Sequence, residues 1–172
     1  MVLFYFLHHR RKTLSTDSTE QYSLKLADSL YLHKDYREKI YKQIRKSDLL
    51  EKEGYVYSGL SFYLYPQIIE ELTGVNYETY LNDNFYKPLG ASTITFNPLR
   101  FYPRDRMIPT EIDTFFRHTP LQGVVHDEGA AMMNGFSANA GLFATTLDLA
   151  KLMQMYLWKG SYGGERYIAE ST

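Results

Sequence analysis

The chain contains no cysteine, which excludes disulfides, thiolate metal sites and cysteine nucleophiles and leaves the redox compartment open. A dominant charge is equally lacking: 19 basic residues against 20 acidic leave a net charge of −1, which argues against a broad basic footprint for nucleic acid. No apolar run reaches the ~20 residues of a membrane span. Residues 2–7 are read instead as a strand or core segment; they precede the basic cluster at 8–12, the reverse of an ordinary secretory signal. The five histidines, His8, His9, His33, His118 and His126, include no pair at the helical spacing of a zinc site, so neither metal nor cofactor is expected. There is no G-x-S-x-G elbow, no glycine-rich phosphate loop ahead of a helix and no internal repeat. No Ser or Thr is followed three residues later by Lys, so the arrangement that sets an amine one helical turn from a hydroxyl nucleophile is missing too.

What the chain does have is aromatic residues, 16% of the total, and enough length for one domain that buries roughly 70% of its unfolded surface. The most readable stretch is 54–74, GYVYSGLSFYLYPQIIEELTG. Tyr55, Val56 and Tyr57 favour extended backbone, Ser58 can cap a helix, and Leu60, Leu64, Ile68 and Leu72 recur every fourth residue before Gly74 stops the element. Pro66 predicts a kink or a division into two pieces. This pattern sets Tyr57 at a helix N-terminus, where unpaired N–H groups and the dipole favour a phenolate or a proton acceptor. Tyr57 is also one of 16 tyrosines, most of which serve as packing residues with a polar tip.

In order along the chain, 13–20 reads as a polar loop and 22–32 gives no clean period. Residues 34–49 read as a surface helix with a stripe of Tyr36, Ile40 and Ile44, acidic residues early and basic ones late. Asn76 caps a shorter helix with Tyr77, Tyr80, Leu81 and Phe85 on one side, closed by Pro88. Residues 90–120 form a long irregular excursion with short strands near 92–96, and 122–141 carries glycines that imply close backbone approach, with a short helix over 127–133. Thr145 caps the strongest helix, to Gly160, with Leu149, Leu152, Met153, Tyr156 and Leu157 at core spacing and its methionines as core filling. The last residues are a turn and the start of a further element. His126, Asp127 and Glu128 form the densest polar cluster, read either as the wall of a cleft or as a loop cap, with the cap favoured.

The run YVYSGLSFYLYPQIIEELTGVNYETYLNDNFYKPLGAST, followed by VVHDEGAAMMNGFSANAGLFATTLDLAKLMQMYLWKGSYGGERY, resembles the middle of the serine β-lactamase-related family, which includes class C β-lactamases, D-alanyl-D-alanine carboxypeptidases and esterases. About two-thirds of the chain takes part. It most resembles a group from Bacteroidetes-like bacteria whose hydrolase domain can follow a glycoside hydrolase family 3 domain of N-acetylglucosaminidase character. The resemblance implies an α+β fold, here a mostly helical partial lobe with much of the antiparallel sheet missing. It also implies acyl-enzyme hydrolysis of a β-lactam, D-amino-acid peptide or ester, and a periplasmic or envelope location. Tyr57 matches the family's proton-shuttling tyrosine. The motif continues with Ser or Ala and then Asn or Asp; here Ser58 is followed by Gly59, so the orienting side chain is missing. Asn139 stands where relatives carry His, and Ala144 where Ser is usual.

The family's Ser-x-x-Lys and its third box, Lys-Thr-Gly or a His-x-Gly variant, are absent from the 172 residues. The expectation is a single incomplete domain: 1–33 irregular, 34–90 helical with the tyrosine motif, 91–144 a long loop region and 145–172 a helix and the next element. It is an internal fragment, inactive alone and poorly soluble because apolar surface stays exposed. Expected partners are a small-molecule or peptidoglycan-peptide substrate in the full-length parent and a fused glycosidase, with no nucleic acid and no membrane span. The alternative is a degenerate, non-catalytic binding module.

Overall fold

A computed structural model of the chain describes residues 13–48, 51 and 54–172; the apolar segment at 2–7 and the adjacent histidines lie outside the described residues. In chain order the elements are β1 (Leu14–Ser15), β2 (Leu24–Ala27), β3 (Leu30–Leu32), α1 (Tyr36–Lys46), a 3-10 turn (Ser61–Tyr63), α2 (Tyr65–Thr73), α3 (Tyr77–Leu81) with a π turn (Asn82–Tyr86), and β4 (Thr95–Phe96). Two 3-10 turns, Pro98–Arg100 and Arg104–Arg106, precede β5 (Glu111–Asp113) and β6 (Thr119–Leu121), and then come α4 (Glu128–Met132), β7 (Leu142–Phe143), α5 (Thr146–Leu157), β8 (Ser161–Tyr162) and β9 (Glu165–Arg166). The fold is mixed α and β with small antiparallel sheets. It divides into two compact units, one of Met1–Pro66 and Leu99–Gly141, the other of Gln67–Pro98 and Leu142–Thr172.

In the first unit β1, β3 and β2 form an antiparallel sheet with Leu14 and Leu24 both opposite Leu32. The expected loop at 13–20 is therefore corrected at its start: Leu14 is recruited by the edge of β3, a long-range pairing that a run of Ser and Thr does not advertise. The undecided stretch 22–32 is a hairpin whose turn places Ser29 at a φ of 54°. Helix α1 follows its sequence pattern, with Glu38 in the first turn, Arg45 and Lys46 in the last, and Tyr36, Ile40, Tyr41 and Ile44 buried. That face packs with Leu26, Leu32, Tyr63 and the residues of α4 in one core.

The stretch after Tyr57 is in two pieces, as Pro66 predicts: the proline falls in the first turn of α2, where its missing N–H costs no helical bond. Two expectations fail there. The preceding 3-10 turn has only three residues, too short for a macrodipole, so the picture of Tyr57 held as a phenolate at a helix N-terminus is withdrawn. The apolar stripe also breaks: Leu60 and Leu64 pack on the first core, whereas Ile68 and Leu72 are exposed.

The second unit is built on α3 and α5. Asn76 Oδ1 accepts from Thr79 N at the start of α3, and the π turn that follows shifts the buried positions to Tyr86 and Leu89, leaving Phe85 half-buried. Thr145 caps α5 by accepting from Asp148 N. The face of α5 that is buried is Asp148, Leu152 and Met155, not the expected Leu149, Met153, Tyr156 and Leu157, which are exposed. The reason is polar. Asp148 accepts from Thr93 N at 2.8 Å and Thr93 Oγ1 at 2.7 Å and pairs with Lys151 at 2.8 Å, and these bonds turn the helix to bring its carboxylate inward. Only one residue of the methionine pair, Met155, is core filling. A β8–β9 hairpin turning at Gly163 and Gly164 completes the unit.

Candidate functional site

Tyr57 lies in an irregular segment with Tyr55, Val56 and Ser58, and its side chain is 68% exposed. The segment is not loose at its end. Ser58 Oγ accepts from Leu60 N at 3.3 Å, and the Gly59 and Leu60 carbonyls accept from Phe62 N and Tyr63 N to form the 3-10 turn. This turn sends the tyrosine six residues after Tyr57 inward. Tyr63 is 8% exposed, and its hydroxyl donates to Asp127 Oδ1 at 3.1 Å.

Asp127 is also the N-cap of α4, its Oδ1 accepting from Ala130 N at 2.6 Å. One carboxylate oxygen thus anchors both a helix start and a buried phenol. Burial, followed by the charge of Asp127, raises the Tyr63 pKa well above its ordinary value, and the polar side chain of Asn139 opposes the rise only partly. Tyr63 is therefore a protonated donor. Gly129 makes the approach possible: a Cβ there would lie 2.2 Å from Tyr63 Oη, so the glycines of this region do imply close approach at this position.

The segment 137–139 closes over the same turn, with Ala138 N donating to Phe62 O at 3.2 Å. Buried Ser137 donates its hydroxyl to Asn139 Oδ1, and Asn139 Nδ2 lies 3.6 Å from where a Cβ on Gly59 would stand. The polar cluster is divided between two surroundings. Asp127 turns inward to Tyr63, while the exposed His126 imidazole stands 3.2 Å from Glu111 Oε2 on β5.

The loop carrying His126 and Asp127 is held by a buried ion pair that the sequence reading did not single out. Arg117 Nε donates to Asp113 Oδ2 at 2.7 Å, and its other nitrogens donate to the Val125 and His126 carbonyls. Burial by itself would raise the Asp113 pKa, but Arg117 and the backbone N–H groups of Phe116, Arg117 and Phe115 outweigh it and hold the carboxyl at about 2. The spacing Asp-x-x-x-Arg is the one trace of this clamp in the sequence.

Among the described residues no group of three His, Asp or Glu could hold a metal ion, and no helix is long and apolar enough to cross a membrane. A surface cleft of about 400 Å³ in the second unit, lined by Tyr80, Phe85 and Tyr167 among others, contains none of the candidate residues. Chemically, the first unit offers an exposed phenol at Tyr57, a side-chain notch at Gly59 and an anchored amide at Asn139.

Comparison with known proteins bears on this arrangement. The family model described as beta-lactamase matches residues 14–171. A "Putative D-alanyl-D-alanine carboxypeptidase" of Salmonella heidelberg (strain SL476) is 33% identical over 168 residues, covering 85% of this chain and 39% of that protein. Its counterpart in Salmonella paratyphi B has the same identity and coverage. The chain thus spans about two-fifths of the length of these relatives. Among solved structures, the octameric penicillin-binding protein homologue from Pyrococcus abyssi is similar in fold, with a TM-score of 0.52 and 22% identity over 78% of this chain and 28% of that one.

Proposed function

The chain belongs to the beta-lactamase family, and from that premise we propose that it carries the proton-relay part of a serine acyl-transfer site that acts on D-alanyl peptides. The names of its relatives support that substrate class over a β-lactam or an ester. In the proposed reaction a serine Oγ attacks the peptide carbonyl while its proton passes by way of Tyr57 to the departing D-alanine nitrogen. Water then hydrolyses the ester and restores the serine.

The observation that carries the proposal is the exposure of Tyr57 within a family match that runs through it on both sides. A phenol sealed in the core would be unable to meet an acyl donor. The serine and lysine of the reaction have no counterpart in the 172 residues, which contain no Ser-x-x-Lys. The chain on its own therefore does not form an acyl-enzyme, and we read it as part of the helical lobe of a larger hydrolase located in the cell envelope. The test is incubation with a fluorescent penicillin followed by denaturing electrophoresis. No covalent band is expected, and an adduct that survives denaturation would overturn the reading.

Gly59 supports a second reading, in which the site has lost catalysis and retains binding of peptidoglycan peptides or docking to a glycosidase of family 3 type. An in-frame Ser-x-x-Lys in the DNA ahead of Met1 favours the hydrolase; a stop codon there favours the binding module.

A further inference from the structure

We propose that the side-chain amide of Asn139 is the donor that orients the substrate's peptide carbonyl beside Tyr57, through the notch left by Gly59; the inference rests on the D-alanyl peptide reading above. The first observation is that neither backbone nor space requires a glycine at 59. Its φ lies outside the left-handed region, and an added Cβ would find Asn139 Nδ2 at 3.6 Å, an ordinary contact, as its sole neighbour within 4 Å among the described residues. The consequence of glycine here is an open face on the Asn139 amide.

The orientation of that amide is set by a buried neighbour. Ser137, 2% exposed, donates its hydroxyl to Oδ1. With Oδ1 held by Ser137, Nδ2 faces Gly59, and the backbone bond from Ala138 to Phe62 holds the segment in place. Asn139 itself is exposed, whereas its anchor Ser137 is buried, which is the arrangement of a pre-set donor that a ligand can reach. One residue, Ser58, separates Gly59 from Tyr57, so their Cα atoms stand within about 7 Å of each other and one peptide unit can meet both. An N–H donor selects an acceptor, here the carbonyl of the acyl peptide.

The experiment is a titration of the 15N-labelled 172-residue chain with diacetyl-Lys-D-Ala-D-Ala, following the Asn139 side-chain NH2 signals and the binding constant. Asn139→Asp keeps the acceptor for Ser137 and removes the donor. Gly59→Val leaves every partner of Asn139 in place and fills the notch. The expected result is movement of the Asn139 NH2 signals and an affinity at least about five-fold weaker in each variant, the size of one lost hydrogen bond. Adding Gly59→Asn to the Asn139→Asp chain supplies an amide from the other side and is expected to restore binding. Wild-type affinity in Asn139→Asp or Gly59→Val would overturn the role of Asn139 and leave the peptide reading intact. Absence of any peptide binding by the wild-type chain would remove both.

Discussion

Tyr57 and Tyr63 stand six residues apart and live in opposite surroundings. One is 68% exposed in an irregular segment; the other is 8% exposed, bonded to Asp127 and pressed against Gly129. The local backbone differs: Tyr63 ends the 3-10 turn Ser61–Tyr63 and is carried into the core, whereas Tyr57 precedes that turn in irregular backbone. The buried tyrosine spends its hydrogen on structure, and burial beside a carboxylate keeps it protonated. The exposed tyrosine is left available. The first unit thus joins a rigid base, made of Tyr63, Asp127, Gly129 and the Asp113–Arg117 pair, to an accessible edge made of Tyr57, Gly59 and Asn139.

Breaking the base should cost stability, and breaking the edge should not. The largest effect is expected for Arg117→Met, which strands the buried Asp113 carboxylate and leaves two carbonyls without their donor; about 3–5 kcal/mol should be lost in urea unfolding. Gly129→Ala drives a methyl group into the Tyr63 hydroxyl and its ring carbon Cζ and should cost about 1–3 kcal/mol, read as a lower Tm, with full relief only when Tyr63 is also changed to a small residue such as Ala.

Acid should act on the same base. The Asp113 carboxyl is lowered to about 2 from its ordinary 3.8. A lowered carboxylate contributes stability that is complete above the unfolded value and is lost as pH falls through the folded one. Unfolding measured from pH 5 to pH 2 should therefore show a loss approaching about 2 kcal/mol that Asp113→Asn does not show. The smallest effects distinguish the two tyrosines. Tyr63→Phe should cost about 1 kcal/mol for its lost hydrogen bond, while Tyr57→Phe should change stability by less than about 0.5 kcal/mol.

Elements set by local chemistry were legible in the sequence. The stripe of Tyr36, Ile40 and Ile44, the caps at Asn76 and Thr145, and the short helix behind Asp127 each depend on residues within one or two turns. What escaped was decided at long range. Leu14 pairs with Leu32, Asp148 is drawn inward by Thr93 from 55 positions away, and the Tyr63 hydroxyl finds Asp127 across 64. The apolar residues of α5 surround most of its circumference, so their spacing did not reveal which face a buried carboxylate would choose. At the candidate site, the Tyr57-Ser58-Gly59 motif was visible as a departure from its family's pattern. That Asn139 meets Gly59 was not, because 80 positions of chain separate them.

The most direct test of the division between base and edge is the rate of penicillin acylation in a polypeptide that carries these residues together with a Ser-x-x-Lys segment, compared with its Tyr57→Phe variant. A relay role predicts that the substitution slows acylation by about 100-fold or more with melting unchanged. An equal rate in the two proteins would contradict it, and Tyr57 would then be an exposed aromatic with no part in the chemistry.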